Sequence, residues 1–178
     1  MSVNHSIILA GFGGQGILFA GKVIAYAGLV DGNEVSWLPS YGPEMRGGTA
    51  NCSVTISDEP IGSPLIINPN VLITMNYPSY LKFIDNVTPG GKVFLDSSLI
   101  DAKVERTDVD AYYVPATKLA EENSMTGRAN MILLGKVLKE IGFAQYDSII
   151  AGLKKSIPAR KAAMIDANLK AVEIGMNA

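Results

Sequence analysis

The chain has 178 residues, 48% of them apolar and only 18% charged, with 15 basic and 17 acidic side chains and a net charge of −2. That length supports one domain (1–178) with a substantial core and is too short for two comfortable ones. Basic residues cluster no further than the pairs Lys154-Lys155 and Arg160-Lys161, which argues against a non-specific nucleic-acid binder, and the single cysteine, Cys52, excludes an intramolecular disulfide or a four-cysteine metal or iron–sulfur site made by this chain alone.

No signal peptide is expected, because Met1 to His5 lead straight into a strand. No apolar run has the length of a membrane span, so the expectation is a cytoplasmic protein without membrane contact. The low charge of the surface hints that a partner covers some apolar face. Ser6 to Ala10 is a short apolar run with a buried strand over Ile7 to Ala10, followed by the glycine-rich Gly11-Phe12-Gly13-Gly14-Gln15-Gly16. A helix follows over Ile17 to Val30, ending at the turn signal Asp31-Gly32-Asn33, and Glu34 to Leu38 is the next strand. This opening is a Rossmann-like βαβ unit with a parallel strand pair expected.

Thr49 to Ser57 alternates strictly between apolar and polar residues, the period of a half-buried strand, which predicts a mixed sheet with an antiparallel member. Val71 to Met75 is a buried strand, with a helix from Pro78. Lys92 to Leu95 is another strand with Asp96 at its carboxyl end, and Val104 to Val114 holds one or two short strands. From Ala116 the pattern is helical: Ala116 to Glu122, Ala129 to Ile141, Asp147 to Ile157, and Pro158 to about Ile174, where Pro158 suits a first helical turn. The fold class is α/β, a three-layer α/β/α domain on a mixed, mostly parallel sheet.

Gly11, Gly13 and Gly16 satisfy the G-x-G-x-x-G pattern, in which glycine permits a sharp turn and close approach of a phosphate or carboxylate to backbone N–H groups. A nicotinamide site also needs an acid at the carboxyl end of the second strand. Glu34 has the right spacing but falls at the start of that strand, so its carboxylate points from the wrong end of the sheet. Three readings stay open for the turn: tight strand–helix packing with no ligand, binding of an anionic group, or contact with a partner's cofactor. The segment Tyr41-Gly42-Pro43-Glu44-Met45-Arg46-Gly47-Gly48 follows a strand end, where α/β sheets place functional groups. Arg46 can grip a phosphate or carboxylate through two parallel hydrogen bonds, and Glu44 can orient it or accept from a cofactor nitrogen. An exposed salt bridge that stabilises a turn explains the pair equally well.

Cys52 lies on the apolar side of its strand and reads as a buried structural thiol, Asp96-Ser97-Ser98 after a strand end as a helix cap in preference to a site wall, and Asn130 as a buried, hydrogen-bonded side chain. Arg128 and Asn130, at the start of their helix, can turn toward the carboxyl edge of the sheet. The sole histidine, His5, sits in the N-terminal tail. No histidine is placed as a base, and no Ser/His/Asp set, P-loop lysine or metal-ligand cluster is present, so no catalytic residue is assigned. A ligand-presenting edge without a reaction centre suits a subunit that completes another subunit's active site. The alternative is a stand-alone nucleotide-binding oxidoreductase that uses Gly11–Gly16 directly.

With these residues on view, the chain resembles the gamma subunit of 2-oxoacid:ferredoxin oxidoreductases, the pyruvate, 2-oxoglutarate and ketoisovalerate group. The resemblance is carried by Ile8 to Gly16, Trp37 to Cys52, Ser57 to Pro64, Val114 to Thr117 and Ala129 to Met131, in order over nearly the whole chain. It implies a multi-subunit enzyme that oxidatively decarboxylates a 2-oxoacid to its acyl-CoA and reduces ferredoxin, using thiamine diphosphate, coenzyme A and iron–sulfur clusters. The expected partners are alpha and beta catalytic subunits and a ferredoxin-like delta subunit. Thiamine diphosphate lies between alpha and beta, and the clusters sit on other subunits. In isolation a homodimer is allowed. By the same resemblance Gly13, Gly14, Gln15, Gly16, Glu44, Arg46, Gly47 and Gly48 fall at the edge shared with the catalytic subunits, in reach of coenzyme A. The form Trp37-Leu38-Pro39-Ser40 leans toward 2-oxoglutarate or branched-chain members.

Overall fold

The apolar run that opens the chain becomes β1 (Asn4–Phe12), and the segment after the glycine turn becomes α1 (Ile17–Val30). Then come β2 (Glu34–Ser40), β3 (Thr49–Ser57), β4 (Val71–Thr74), α2 (Tyr77–Phe83), β5 (Lys92–Asp96) and β6 (Asp110–Val114), followed by α3 (Ala116–Glu122), α4 (Ala129–Ile141), α5 (Tyr146–Ser156) and α6 (Met164–Met176). This computed structural model describes residues 2–40 and 49–178.

The strands form one 6-stranded sheet in the order β2-β3-β1-β4-β5-β6. β1, β4, β5 and β6 run parallel, while β3 lies antiparallel to both β1 and β2. The sheet is therefore mixed and mostly parallel. The opening βαβ unit departs from expectation in one respect. β1 and β2 point the same way but do not pair, because β3 is inserted between them, matched to β1 from Asn4↔Ser57 to Phe12↔Thr49. The helical crossover leaves a strand-wide gap, and a strand returning antiparallel from β2 can fill it.

Alternation along the strands feeds two cores. Ile7, Leu9, Cys52, Val54, Ile56, Ile73 and Phe94 face one side, where they pack with buried residues of α1, α4, α5 and α6. Ile8, Leu72, Val93 and Leu95 face the other, under Tyr80 of α2 and Ile84, Val87 and Ile100. Helix on both faces gives the three layers, with the heavier layer on the first face. None of the described helices is long and apolar enough to cross a membrane.

Two further expectations are corrected, while one of the one or two strands expected over Val104 to Val114 forms, as β6, paired along β5. His5 is not in a tail: it belongs to β1, opposite Ile56, and is half-buried. The last helix does not begin at Pro158. That residue has ψ 146° after an extended Ile157, the conformation favoured before a proline, and a short 3₁₀ turn (Ala159–Lys161) precedes α6 at Met164.

Candidate functional site

The sheet reverses its direction of winding between β1 and β4, since the chain leaves β1 toward β2 on one side while β4 lies on the other. The carboxyl ends of two strands that diverge in this way leave a crevice where α/β domains bind ligands. The glycine turn sits there, and Gln15 fastens it. Its Oε1 accepts from the Phe12 N–H at 2.6 Å, and its Nε2 donates to the Met75 carbonyl at 2.9 Å. One amide thus ties the end of β1 to the end of β4. Both of its ends are engaged by backbone, so what Gln15 does here is hold the turn in shape.

The glycines differ in their reasons. Gly14 (φ 93°) and Gly16 (φ 73°) adopt left-handed backbone that L side chains resist. A Cβ on Gly14 would meet nothing within 4 Å, so this residue faces open space. A Cβ on Gly16 would fall on the Asn130 amide, whose Nδ2 donates to the Gly16 carbonyl at 3.0 Å. Asn130 also accepts from the Met131 N–H at 2.9 Å, so this buried asparagine is satisfied and welds the start of α4 to the start of α1. Gly16 is the N-cap of α1, with no side-chain cap and no acidic residue in the first turn, so the helix supplies no charge of its own to offset its positive end. Gly13 is exposed beside it.

Two clefts meet at this turn. The larger, about 410 Å³, is lined by Gly14 and Gly16 of the turn, Arg128 at the N-cap of α4, Ser156 at the end of α5, and Lys161 in the link to α6. The smaller, about 230 Å³, opens on the other side of Gly14 and Gly127 and is lined by Met75, Leu99, Ala120, Glu121 and Ala129. Arg128 is the residue at a helix start that the sequence allowed to face this edge. Ser156 and Lys161 carry no local signal and reach the turn only because α5 and α6 pack beside α1 and α4.

Other candidate groups are engaged or distant. Asp96 is fully buried and accepts from the Ser98 N–H at 3.1 Å, the Thr117 N–H at 3.3 Å and the Thr117 hydroxyl at 2.6 Å, which makes it the cap of α3. His5 lies at the opposite edge of the sheet, and burial lowers its pKa. Glu34 pairs with Ser57, which also pairs with Asn4, so it stands level with the beginning of β1, about 25 Å from the glycine turn at the usual strand rise. Glu44, Arg46, Gly47 and Gly48 lie outside the described residues; the residues that flank them, Ser40 and Thr49, stand at the same sheet edge as Phe12. Among the described residues no group of His, Cys, Asp and Glu could hold a metal ion.

Cys52 is fully buried, and burial pushes its thiol up to about 12, only partly offset by the Trp37 indole beside it. Below that pH the folded protein holds a neutral, unreactive thiol. Native protein at pH 8 is expected to resist iodoacetamide and to take up one equivalent only after unfolding in denaturant, as read by intact mass. Rapid labelling of the native chain would show that the strand opens. Because the thiol ionises more readily in the unfolded chain, its contribution to stability is present below the ordinary thiol range and is lost as pH rises toward 12.

Comparison with known proteins follows the same edge-bearing domain. The family profile described as pyruvate ferredoxin/flavodoxin oxidoreductase matches residues 6–178. Ketoisovalerate oxidoreductase subunit VorA of Methanothermobacter thermautotrophicus is 40% identical over 169 residues, which is 94% of this chain but 35% of VorA, so the chain spans about a third of that relative's length. 2-Oxoglutarate synthase subunit KorC of Methanocaldococcus jannaschii is 36% identical over 161 residues, 89% of this chain and 86% of KorC. The crystal structure of a keto/oxoacid ferredoxin oxidoreductase gamma subunit from Geobacter sulfurreducens superposes with a TM-score of 0.82 at 26% identity, covering 97% of this chain and 96% of that one. The chain belongs to the pyruvate ferredoxin/flavodoxin oxidoreductase family and is of its gamma-subunit type.

Proposed function

We propose that this chain is the gamma subunit of a multi-subunit 2-oxoacid:ferredoxin oxidoreductase, and that it completes the assembly beside a catalytic centre carried by other subunits. The observation that carries this reading is a ligand-presenting crevice in which the described residues supply no reaction centre. Gln15 is bound up in holding the turn, Asp96 caps a helix, Cys52 is a buried neutral thiol and His5 is at the far edge. What the crevice offers is backbone N–H groups, an uncapped helix start and cations, which bind and orient and do not make or break bonds.

On this reading alpha and beta subunits hold thiamine diphosphate, and iron–sulfur clusters on partner subunits pass electrons to ferredoxin. The single cysteine of this chain agrees with clusters held elsewhere. Thiamine diphosphate supplies the carbanion chemistry of decarboxylation when bound, and coenzyme A takes up the acyl group. The part of this chain is to present Gly13 to Gly16, with Arg46, to an anionic portion of coenzyme A, or to brace a catalytic subunit's loop over the thiamine site. The substrate reading is 2-oxoglutarate or a branched-chain 2-oxoacid, supported by likeness to KorC and VorA.

Anaerobic affinity purification from the native cells tests the assembly. Two or three partners should co-elute with thiamine diphosphate, iron–sulfur absorbance and dye reduction that depends on a 2-oxoacid and coenzyme A. Elution of the chain alone with a bound nucleotide would overturn the reading in favour of an independent oxidoreductase. Within the assembled enzyme, Arg46→Ala is expected to raise the coenzyme A KM or lower kcat by about tenfold, the scale of a lost charged hydrogen bond. Unchanged kinetics with intact assembly would remove Arg46 from the site.

A further inference from the structure

Strand β2 ends the sheet on one side, and among the described residues no strand lies beyond it. The ladder fixes what its outer edge presents. The Asn70 N–H donates to the Ser6 carbonyl and the Met75 N–H to the Ala10 carbonyl. Backbone groups alternate in direction along a strand, so Ser6, Ile8 and Ala10 of β1 turn theirs toward β4, and His5, Ile7 and Leu9 turn theirs toward β3. Ile56, Val54 and Cys52, opposite those three, therefore bond to β1. The β2 residues that face them, Val35, Trp37 and Pro39, point their backbone groups away from β3. A proline has no N–H to give to a ladder and suits that position. The N–H and C=O groups of Val35 and Trp37 are left as an open template, without a partner among the described residues.

Beside this edge runs a groove of about 230 Å³ between α1 and β2. Lys22, Ala25, Tyr26 and Leu29 line it at the spacing of one helix face, and Val35 and Trp37 form its other wall. Leu29 is 53% exposed there. Two cations flank the apolar surface: the Nζ atoms of Lys22 and of Lys155, near the end of α5, stand 5.8 and 5.9 Å from the centre of the Tyr26 ring. Neither lysine is ion-paired among the described residues, and no Asp or Glu lines the groove. The acids closest in the chain are engaged or turned away. Asp31 accepts from the Gln145 N–H and the Ser148 hydroxyl, and Glu34 alternates onto the opposite face of β2 from Val35 and Trp37.

We propose that an extended, acidic segment of a partner subunit adds to β2 as a further edge strand, with an apolar side chain between Leu29 and Val35 and a carboxylate at Lys22 and Lys155. Main-chain hydrogen bonds to Val35 and Trp37 hold such a strand, and the groove selects its alternate side chains. Lys22 and Leu29 lie two helical turns apart, about 10.5 Å along α1. Side chains on one face of a strand repeat at about 7 Å, so an apolar residue and an acid two or four places apart span the groove. Charge decides between occupants. A second copy docked through the same edge would bring this groove only another Lys22 and Lys155, whereas an acidic segment supplies the missing counter-charge. This rests on the reading of the chain as a subunit of a larger assembly and adds which edge a partner occupies.

Hydrogen exchange at single-residue resolution tests it, on the free chain and on the assembly purified anaerobically from native cells. The Val35 and Trp37 amides should exchange freely in the chain alone and slow by about a hundredfold or more on assembly. The Ser36 and Leu38 amides, which point toward β3 in both states, should change little. Val35→Pro deletes an outward N–H that the β2–β3 ladder does not use, and should weaken partner retention by about tenfold. Lys22→Glu combined with Lys155→Glu should weaken it by about tenfold or more, and added salt should weaken the wild type. If Val35→Pro fails to fold, the lysine variant still decides the matter. Freely exchanging Val35 and Trp37 amides in the intact assembly would overturn the docking edge, and full retention by the folded lysine variant would overturn the acidic occupant. Protection already present in the free chain, with a dimer seen in sedimentation, would put a second copy in place of the partner. Co-elution without protection refutes the edge alone, whereas elution of the chain without partners refutes the subunit reading and the edge with it.

Discussion

Gly135→Ala should destabilise the fold by about 3 kcal/mol, the upper range for forcing atoms into a packed core, and should lower the Tm by about 6–12 °C for a domain of this size. Helices α4 and α6 approach so closely that a Cβ on Gly135 would fall on the backbone carbonyl of Val172, and one on Gly175 would fall on the carbonyl of Ile132. Backbone cannot rotate aside as a side-chain tip can, so the helices must separate. The separation would strip contacts from Ile132, Val172 and Ala171, all fully buried. It would also shift the start of α4, which carries Arg128 and Asn130. Gly62→Ala is the control: it has ordinary backbone conformation and open space around the position, and it should be neutral. Urea unfolding of the two variants beside the wild type reads the difference directly. Equal midpoints would mean that the α4–α6 contact relaxes at no cost.

Gly16→Ala is the second large effect, and it bears on the site itself. The substitution forces a side chain into left-handed backbone, at about 1–2 kcal/mol, and drives a methyl group into the Asn130 amide, for a total of about 3 kcal/mol. Asn130→Ala alone removes the bond to the Gly16 carbonyl and the one to the Met131 N–H, at about 1–3 kcal/mol. The double variant removes the clashing amide. Its cost should therefore fall short of the sum of the single costs by about 1–2 kcal/mol. Simple additivity across the cycle would show that the two residues are not coupled and that the glycine at position 16 serves backbone conformation alone. Gly14→Ala shares the backbone strain of a positive φ but not the clash, since its methyl group meets open space, so it should cost less than Gly16→Ala.

Much of the architecture was legible residue by residue. Local pattern placed α1, α3, α4 and β3 at their observed limits, because each is bounded by a glycine turn or cap, or carries a clean period. The buried thiol at Cys52, the capping carboxylate at Asp96 and the satisfied amide at Asn130 followed from where those residue types sit on strand ends and helix starts. Pro158 misled because a proline fixes φ without fixing ψ, so the extended value it adopts was invisible to a helix-start rule. The expected β1–β2 pair failed for a different reason. Strand direction follows from the connecting helix, whereas strand neighbours depend on which later segment competes for the same edge, and β3 won it over its whole length.

By itself, then, the sequence determined the α/β class, the limits of several elements and the glycine turn, since all of these rest on periodicity, turn residues and composition. Only the tertiary structure decided what the described polar groups near that turn do. Gln15 became the clasp between β1 and β4, because its reach to Met75 depends on two strands that are distant in the chain lying side by side. Arg128, Ser156 and Lys161 became one cationic cleft for the same reason: helices packed through close backbone contacts bring their ends together, and no spacing along the chain records that convergence.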